Sequence, residues 1–451
     1  MSDAPRPAAL VGEISARGGA AALRRQQTLT IVLLFGGYAA YYFCRADLSV
    51  ATPLLVAELR GRGAAADVAL ARIGTLSSLG VLAYALGKLF LTGLGDLWGG
   101  RRSFLVGLGG ATLFTLVFAM GGGLPLFTLA WIGNRLTQSI GWAGLIKVCS
   151  RWFDFSAYGT VIGILSLSYL VGDAVARESM GALIGLGVGW RSLFGFGAAV
   201  AGLMFVANAL WLRESRTERG HGEAHVNPLN LYAAHDARPT GIRALLRPLV
   251  TSRAFVLVCV LSFGCTVVRE TFNTWTPMYL SSYLGYSAGG AASWSALFPA
   301  LGAVSVLGAG WLSDRFGTTG RSLLLLVGLA LAAIALSLLV ATPPGAAHAV
   351  LPLVLIGVVA LSLLGPYSYL GGAIALDFGG RQAGAAASGI IDGIGYLGGV
   401  LAGDTVARIA GAFGWHGVFV ALATVSAASA VAAGFLHVDQ RRRAVRAAAS
   451  P

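Results

Sequence analysis

Gly95-Asp96-Leu97-Trp98-Gly99-Gly100-Arg101-Arg102 is echoed by Leu312-Ser313-Asp314-Arg315-Phe316-Gly317 and then Gly320-Arg321. Each stretch reads as an aspartate at a helix end, a tight glycine turn and an arginine, set between two long apolar runs. The offset from Asp96 to Asp314 is 218 residues, and from Arg45 to Arg269, two arginines inside apolar runs, it is 224. An internal duplication explains both offsets. Transporters built from such repeats place their site near the membrane midplane between the repeats.

The runs around these loops are long. Of 451 residues 56% are hydrophobic and 11% charged, 64 are glycine, and the mean hydropathy is +0.75. Those values belong to a chain that lives in a lipid bilayer. From Ser322 to Leu376 the only ionisable acid or base is His348, and Pro343-Pro344-Gly345 break that run into two spans. About 20 apolar residues cross the hydrocarbon core, which predicts twelve helices near 29–55, 73–95, 103–121, 125–148, 159–186, 191–212, 254–281, 290–312, 322–341, 349–376, 383–407 and 415–436. The fold expected is an all-α membrane protein of two pseudo-symmetric six-helix halves. Residues 1–28 form an N-terminal tail, 29–212 the first half, 213–253 a polar linker, 254–437 the second half and 438–451 a C-terminal tail.

Charge sets the orientation. Arginines collect in the even-numbered loops: Arg101 and Arg102, Arg151, Arg315 and Arg321, Arg381, and Arg441-Arg442-Arg443 after the last span. Short cytoplasmic loops retain positive charge, so both termini are expected in the cytoplasm, in a bacterial inner membrane. The net charge of +13 is then topogenic and calls for no nucleic-acid partner. The segment before Thr28 lacks the apolar core and cleavage pattern of a secretory signal. Cys44, Cys149, Cys259 and Cys265 fall in predicted spans without metal-ligand spacing and read as packing residues. His221, His225 and His235 lie in the linker, also without such spacing. No metal, cofactor or Walker-type loop is expected, and no nucleophile–base pair suggests catalysis.

A guanidinium inside a span costs about 2.5 to 3.5 kcal/mol on insertion scales, so Arg45 and Arg269 need a reason to persist. Tyr38, Tyr42, Arg45 and Ser49 recur along one helical stripe, and Arg269 shares another with Asn273 and Thr276. Tyr84 and Lys88 lie one turn apart, as do Gln138 and Trp142. A planar guanidinium donates two parallel hydrogen bonds to a phosphate, where an ammonium is a point charge. Two arginines plus Lys88 suit a phosphate dianion, with tyrosine hydroxyls and rings lining the organic part. Interior packing competes with ligand contact for Tyr38 and Tyr396. Pairing across helices competes for the arginines, because Asp47 and Glu270 are spaced badly for neutralisation within one helix.

The twelve spans, the central linker and the repeated loop together resemble the major facilitator superfamily, whose signature is a Gly-x-x-x-Asp-x-x-Gly-x-Arg-type loop between spans two and three. The resemblance implies that Asp96, Arg101, Arg102, Asp314, Arg315 and Arg321 act in gating as the halves rock. Span one, Gly37-Tyr38-Ala39-Ala40-Tyr41-Tyr42-Phe43-Cys44-Arg45, looks like that of the organophosphate:phosphate antiporters. Gln138-Ser139-Ile140-Gly141-Trp142 and Gly395-Tyr396-Leu397-Gly398-Gly399 extend the likeness. It implies that Arg45 and Arg269 grip phosphate and that an organic phosphate ester is exchanged for inorganic phosphate.

Two features depart from that pattern. Ala46 follows the first arginine where the family often has lysine, and Gly172 beside Asp173 stands where it often has histidine. Asp47, Asp173, Glu270 and Asp392 are therefore candidates for coupling or selectivity, with Asp173 and Asp392 expected to pair with Arg177 and Arg135. Two other functions stay open, a proton-coupled symporter of a carboxylate or sugar and a sugar-phosphate sensor. The partners expected are a small anionic solute and the lipid bilayer. The oligomeric state is open, a monomer included, since glycine-rich faces pack helices within a chain as readily as between chains.

Overall fold

A computed structural model describes residues 7–91, 99–224, 247, 249–316, 320–345 and 350–449. Without water in the bilayer core, backbone groups must be satisfied inside each span, which these apolar runs do as helices. The first half comprises α1 (Pro7–Gly61), α2 (Ala66–Phe90), α3 (Gly100–Met120), α4 (Leu124–Gln138), α5 (Gly141–Trp152), α6 (Phe155–Gly185) and α7 (Trp190–Trp211). The second comprises α8 (Arg253–Ser282), α9 (Ala288–Ser295), α10 (Leu297–Phe316), α11 (Gly320–Val340), α12 (Val350–Ser368), a π turn at Leu370–Ile374, α13 (Ala375–Leu401) and α14 (Asp404–Ala449). At about 1.5 Å per residue, the 21 residues of α3 just match a hydrocarbon core of roughly 30 Å. Leu113, Leu203, Ile334, Val354 and Phe435 point outward as an apolar belt, the reverse of a water-soluble surface. The chain is a multi-pass integral membrane protein.

Several details differ from the sequence-based expectation. Helix α1 begins at Pro7, so most of the expected tail is helical. The fourth crossing is two helices, α4 and α5, separated at Ser139 and Ile140. The eighth is split near Ala296 into α9 and α10. The twelfth begins beyond a kink at Gly414, whose φ of 66° is one that only glycine adopts readily. Among the described residues nine segments are long and apolar enough to span by themselves. The fourth crossing is missing from that set because it is broken, and the last two crossings run together in one segment.

The halves press together on the face that carries the odd-numbered loops. A Cβ on Gly74 of α2 would lie 2.5 Å from the Ala407 Cβ of α14, and one on Gly181 of α6 would lie 2.8 Å from the Gly289 carbonyl oxygen. Only glycine permits backbones that close. Ser78 donates to the Val400 carbonyl at 2.5 Å, and Thr75 donates to the Asp404 carboxylate at 2.8 Å. Toward the even-loop face the α2–α13 seam continues through Tyr84 against Tyr396 to Lys88 and Asp392.

The expected gating arginines have particular partners. Arg101 donates through Nε to the Leu212 carbonyl and through Nη2 to the Ala209 carbonyl, at 2.7 and 2.6 Å. It therefore satisfies the C-terminal carbonyls of α7. Glu214 accepts from the backbone N–H groups of Gly100 and Arg101 at 2.8 and 2.6 Å, where the positive end of α3 favours a carboxylate. Arg102 is exposed and Arg321 half-buried. Asp96 and the side chains of Asp314 and Arg315 lie outside the described set, as do His225 and His235 of the linker.

Candidate substrate cavity

The central cavity encloses about 460 Å³, counting the part continuous with solvent. Tyr42, Arg45 and Ser49 enter it from α1, Trp131 and Arg135 from α4, Asp173 and Arg177 from α6, and Glu270 and Asn273 from α8. The stripe expected on α1 is thus present from Tyr42 onward. Both halves line the cavity.

Beside it, the rings of Tyr84 and Tyr396 meet at 4.9 Å between centroids, one from each half. Cations surround this ring pair. The Arg45 and Arg135 guanidinium carbons lie 4.6 and 5.0 Å from the Tyr84 centroid. Lys88 Nζ lies 5.7 Å from Tyr84 and 5.6 Å from Tyr396, and Arg269 lies 5.4 Å from Tyr396 and 4.8 Å from Tyr367. Each ring face attracts a cation by about 0.5 to 2 kcal/mol, so the tyrosines hold like charges close together without neutralising them. Arg45 also donates to the Tyr42 hydroxyl at 3.3 Å.

The carboxylates are distributed unevenly over these cations. Arg269 pairs with its neighbour Glu270 at 2.6 Å, against the expectation drawn from helical spacing. Adjacent side chains leave a helix about 100° apart, but two long ones can bend toward each other. Asp173 and Arg177 pair at 3.0 Å as expected. Asp392 does not take Arg135; it lies 3.4 Å from Lys88, on the facing helix of the other half. Arg135 is 3% exposed, and its Nε and Nη1 have no hydrogen-bond partner among the described residues. Asp47 is fully buried, with Oδ1 accepting from the Leu48 N–H at 2.7 Å and Oδ2 unpartnered.

Three residues expected at the ligand serve as scaffold behind it. Tyr38 is buried in the first half's core against Trp142, with centroids 5.1 Å apart. Gln138 donates to the Cys44 carbonyl at 3.2 Å and to Asn134 Oδ1 at 2.7 Å. Asn273 lines the cavity, and its backbone carbonyl accepts from Ser49 and Arg177, each at 2.7 Å. Arg177 also donates to Ser295 at 3.2 Å, so it fastens the first half to the second just on the closed side of the cavity. Arg135 was missed as a site residue. The signal for it was its place one turn before Gln138, on a segment already singled out.

The Major Facilitator Superfamily pattern matches residues 34–403. The chain belongs to the Major Facilitator Superfamily. It is 26% identical over 301 residues to a protein of Chlamydia trachomatis named "Probable hexose phosphate transport protein", and that match spans 64% of each chain. It is 26% identical over 427 residues to the "Membrane sensor protein UhpC" of Escherichia coli strain K12, covering 90% of this chain and 91% of that one. A Bacillus subtilis protein named "Glycerol-3-phosphate transporter" is 22% identical over 319 residues, covering 67% of this chain and 68% of that one. These relatives support the organophosphate:phosphate antiporter-like branch of the superfamily. Among solved structures, an inward-facing, unoccupied bacterial homologue of the lysosomal transporter Spinster superposes with a TM-score of 0.74. It covers 92% of this chain and 97% of its own at 16% identity, a likeness of fold.

Proposed function

We infer that this chain exchanges an organic phosphate ester for inorganic phosphate by rocking of its two halves. The observation that carries this reading is the convergence of Arg45 and Lys88 from the first half and Arg269 from the second on the Tyr84–Tyr396 ring pair. A phosphate dianion there bridges the halves and offsets charges that otherwise oppose closure. The ligand drives the rocking only through its tighter binding to the closed-over state. Reorientation without it is slow, which makes exchange obligatory. With the even-numbered loops in the cytoplasm of a bacterial inner membrane, both termini are cytoplasmic and the seal at Gly74 and Gly181 is on the outer side.

The test is counterflow. Purified protein in liposomes loaded with inorganic phosphate is expected to take up radiolabelled phosphate and at least one of glycerol, triose or hexose phosphate. Uptake that requires a pH gradient and no internal phosphate would instead identify a proton symporter, with the buried Asp47 as the group to load. The similarity to a membrane sensor over nine-tenths of the chain favours one further reading, ligand recognition without transport. Saturable binding with no counterflow would establish it.

A further inference from the structure

We propose that Arg135 forms, with Arg45, a second anion-binding point in the first half, and that the preferred organic substrate is a phosphate ester bearing a second anionic group such as a carboxylate. The inference rests on the phosphate-ester reading above and narrows it. Among the described residues around the cavity, Asp173 is engaged by Arg177, Glu270 by Arg269, and Asp392 by Lys88. Asp47 makes no ion pair and gives one oxygen to its own helix's backbone. Among the described residues Arg45 and Arg135 make no ion pair of their own, although Glu270 shares the cavity they line, and each lies within about 5 Å of the Tyr84 ring.

One phosphate held between Arg45 and Arg269 leaves Arg135 uncompensated. A guanidinium that is nearly fully buried with two unpartnered nitrogens, Nε and Nη1, is costly unless an anion meets it. Nε and Nη1 lie on different edges of the guanidinium, and each can give one charge-assisted hydrogen bond to an anion. The Arg135 guanidinium lies 5.9 Å from the Trp131 ring centroid, and both residues line the cavity. Asn273 and Ser49 supply neutral polar contacts for hydroxyls between the two charged ends of the solute.

The matched probes are 3-phosphoglycerate and glycerol 3-phosphate, which differ by a carboxylate in place of a hydroxymethyl group. Affinity is read by ligand-induced thermal stabilisation of the purified full-length protein. Wild type is expected to bind 3-phosphoglycerate about tenfold more tightly than glycerol 3-phosphate, the scale of one charge-assisted hydrogen bond. Arg135→Gln is expected to bring the ratio of the two affinities close to one, and Arg135→Lys to leave a reduced preference. Equal affinities in wild type, or equal losses for both esters in Arg135→Gln, overturn the proposal. Should the glutamine variant not fold, Arg135→Lys decides, and a wild-type ratio in that variant also overturns it. Phosphate counterflow is measured separately, so preference without exchange sinks the antiport reading alone, and exchange without preference sinks this one alone.

Discussion

The two halves of this molecule repeat each other in topology and differ in how they treat their arginines. In the first half Arg45 and Arg135 face the cavity against aromatic rings and a hydroxyl, and among the described residues neither makes an ion pair. In the second, Arg269 carries its own counter-ion in Glu270 at 2.6 Å. A free cation attracts an anion at once, whereas a paired one must exchange partners. On the exchange proposed above, an incoming phosphate would meet the first half first and would recruit Arg269 by competing with Glu270 as the halves approach. On that proposal the asymmetry would divide capture from closure between the two halves.

The sharpest way to break that comparison is to keep the charge and change its shape. Arg45→Lys and Arg269→Lys are each expected to lower phosphate exchange below about 1% of wild type, because misplacing a contact by about 1 Å costs roughly a hundredfold. Saturation binding separates the two. Arg45→Lys should lose binding and exchange together, while Arg269→Lys should retain most of the binding and lose the exchange. Equal binding losses in both would mean that the halves are equivalent despite their different ion pairs.

A smaller effect comes from making the second half resemble the first. Glu270→Gln removes the competitor for Arg269, so phosphate affinity is expected to rise about fivefold to tenfold, a coupling of roughly 1 to 1.4 kcal/mol. Maximal exchange should fall at the same time, since release now leaves Arg269 uncompensated near Arg45 and Arg135. The ligand-free variant should also melt at a lower temperature than wild type and gain more from added phosphate, because removing one member of a buried pair strands the other. Unchanged phosphate affinity would show that Glu270 is no competitor.

Much of the architecture could be read from residue order, and the reasons are physical. Span length is dictated by bilayer thickness and needs no tertiary information, and Asp96 and Asp314 announce the duplication through turns that glycine and charge mark locally. The break at Ser139-Ile140 and the kink at Gly414 carry no such mark, because glycine is everywhere in this chain and most of its glycines lie in unbroken helices. The cavity was legible as a stripe from Tyr42 to Ser49, but periodicity cannot say where a stripe dives into a core, which is what happens to Tyr38 beside Trp142. Pairing was the least legible. Whether Asp392 meets Arg135 or Lys88 depends on how the α2–α13 seam packs, and a rule drawn from helical spacing does not describe the direct pair of Arg269 and Glu270.

The same seam supplies the mildest probe of how the halves differ. Lys88 belongs to the first half and Asp392 to the second, and their contact at 3.4 Å leaves the carboxylate 31% exposed. Partly solvated pairs of this kind contribute about 0 to 1 kcal/mol. Since the pair joins the halves on the even-loop side, Asp392→Asn should favour separation there by up to about fivefold. Exchange should change by no more than that factor, and a single cysteine facing the cavity should react faster with a membrane-impermeant maleimide from the even-loop side. The direction is informative because Lys88 also sits over both rings of the Tyr84–Tyr396 pair. Released from Asp392, its ammonium adds to the field of Arg45, so phosphate affinity should rise slightly. Loss of exchange on the scale of the arginine variants would instead mean that the seam, and not the paired arginine of the second half, is where closure is decided.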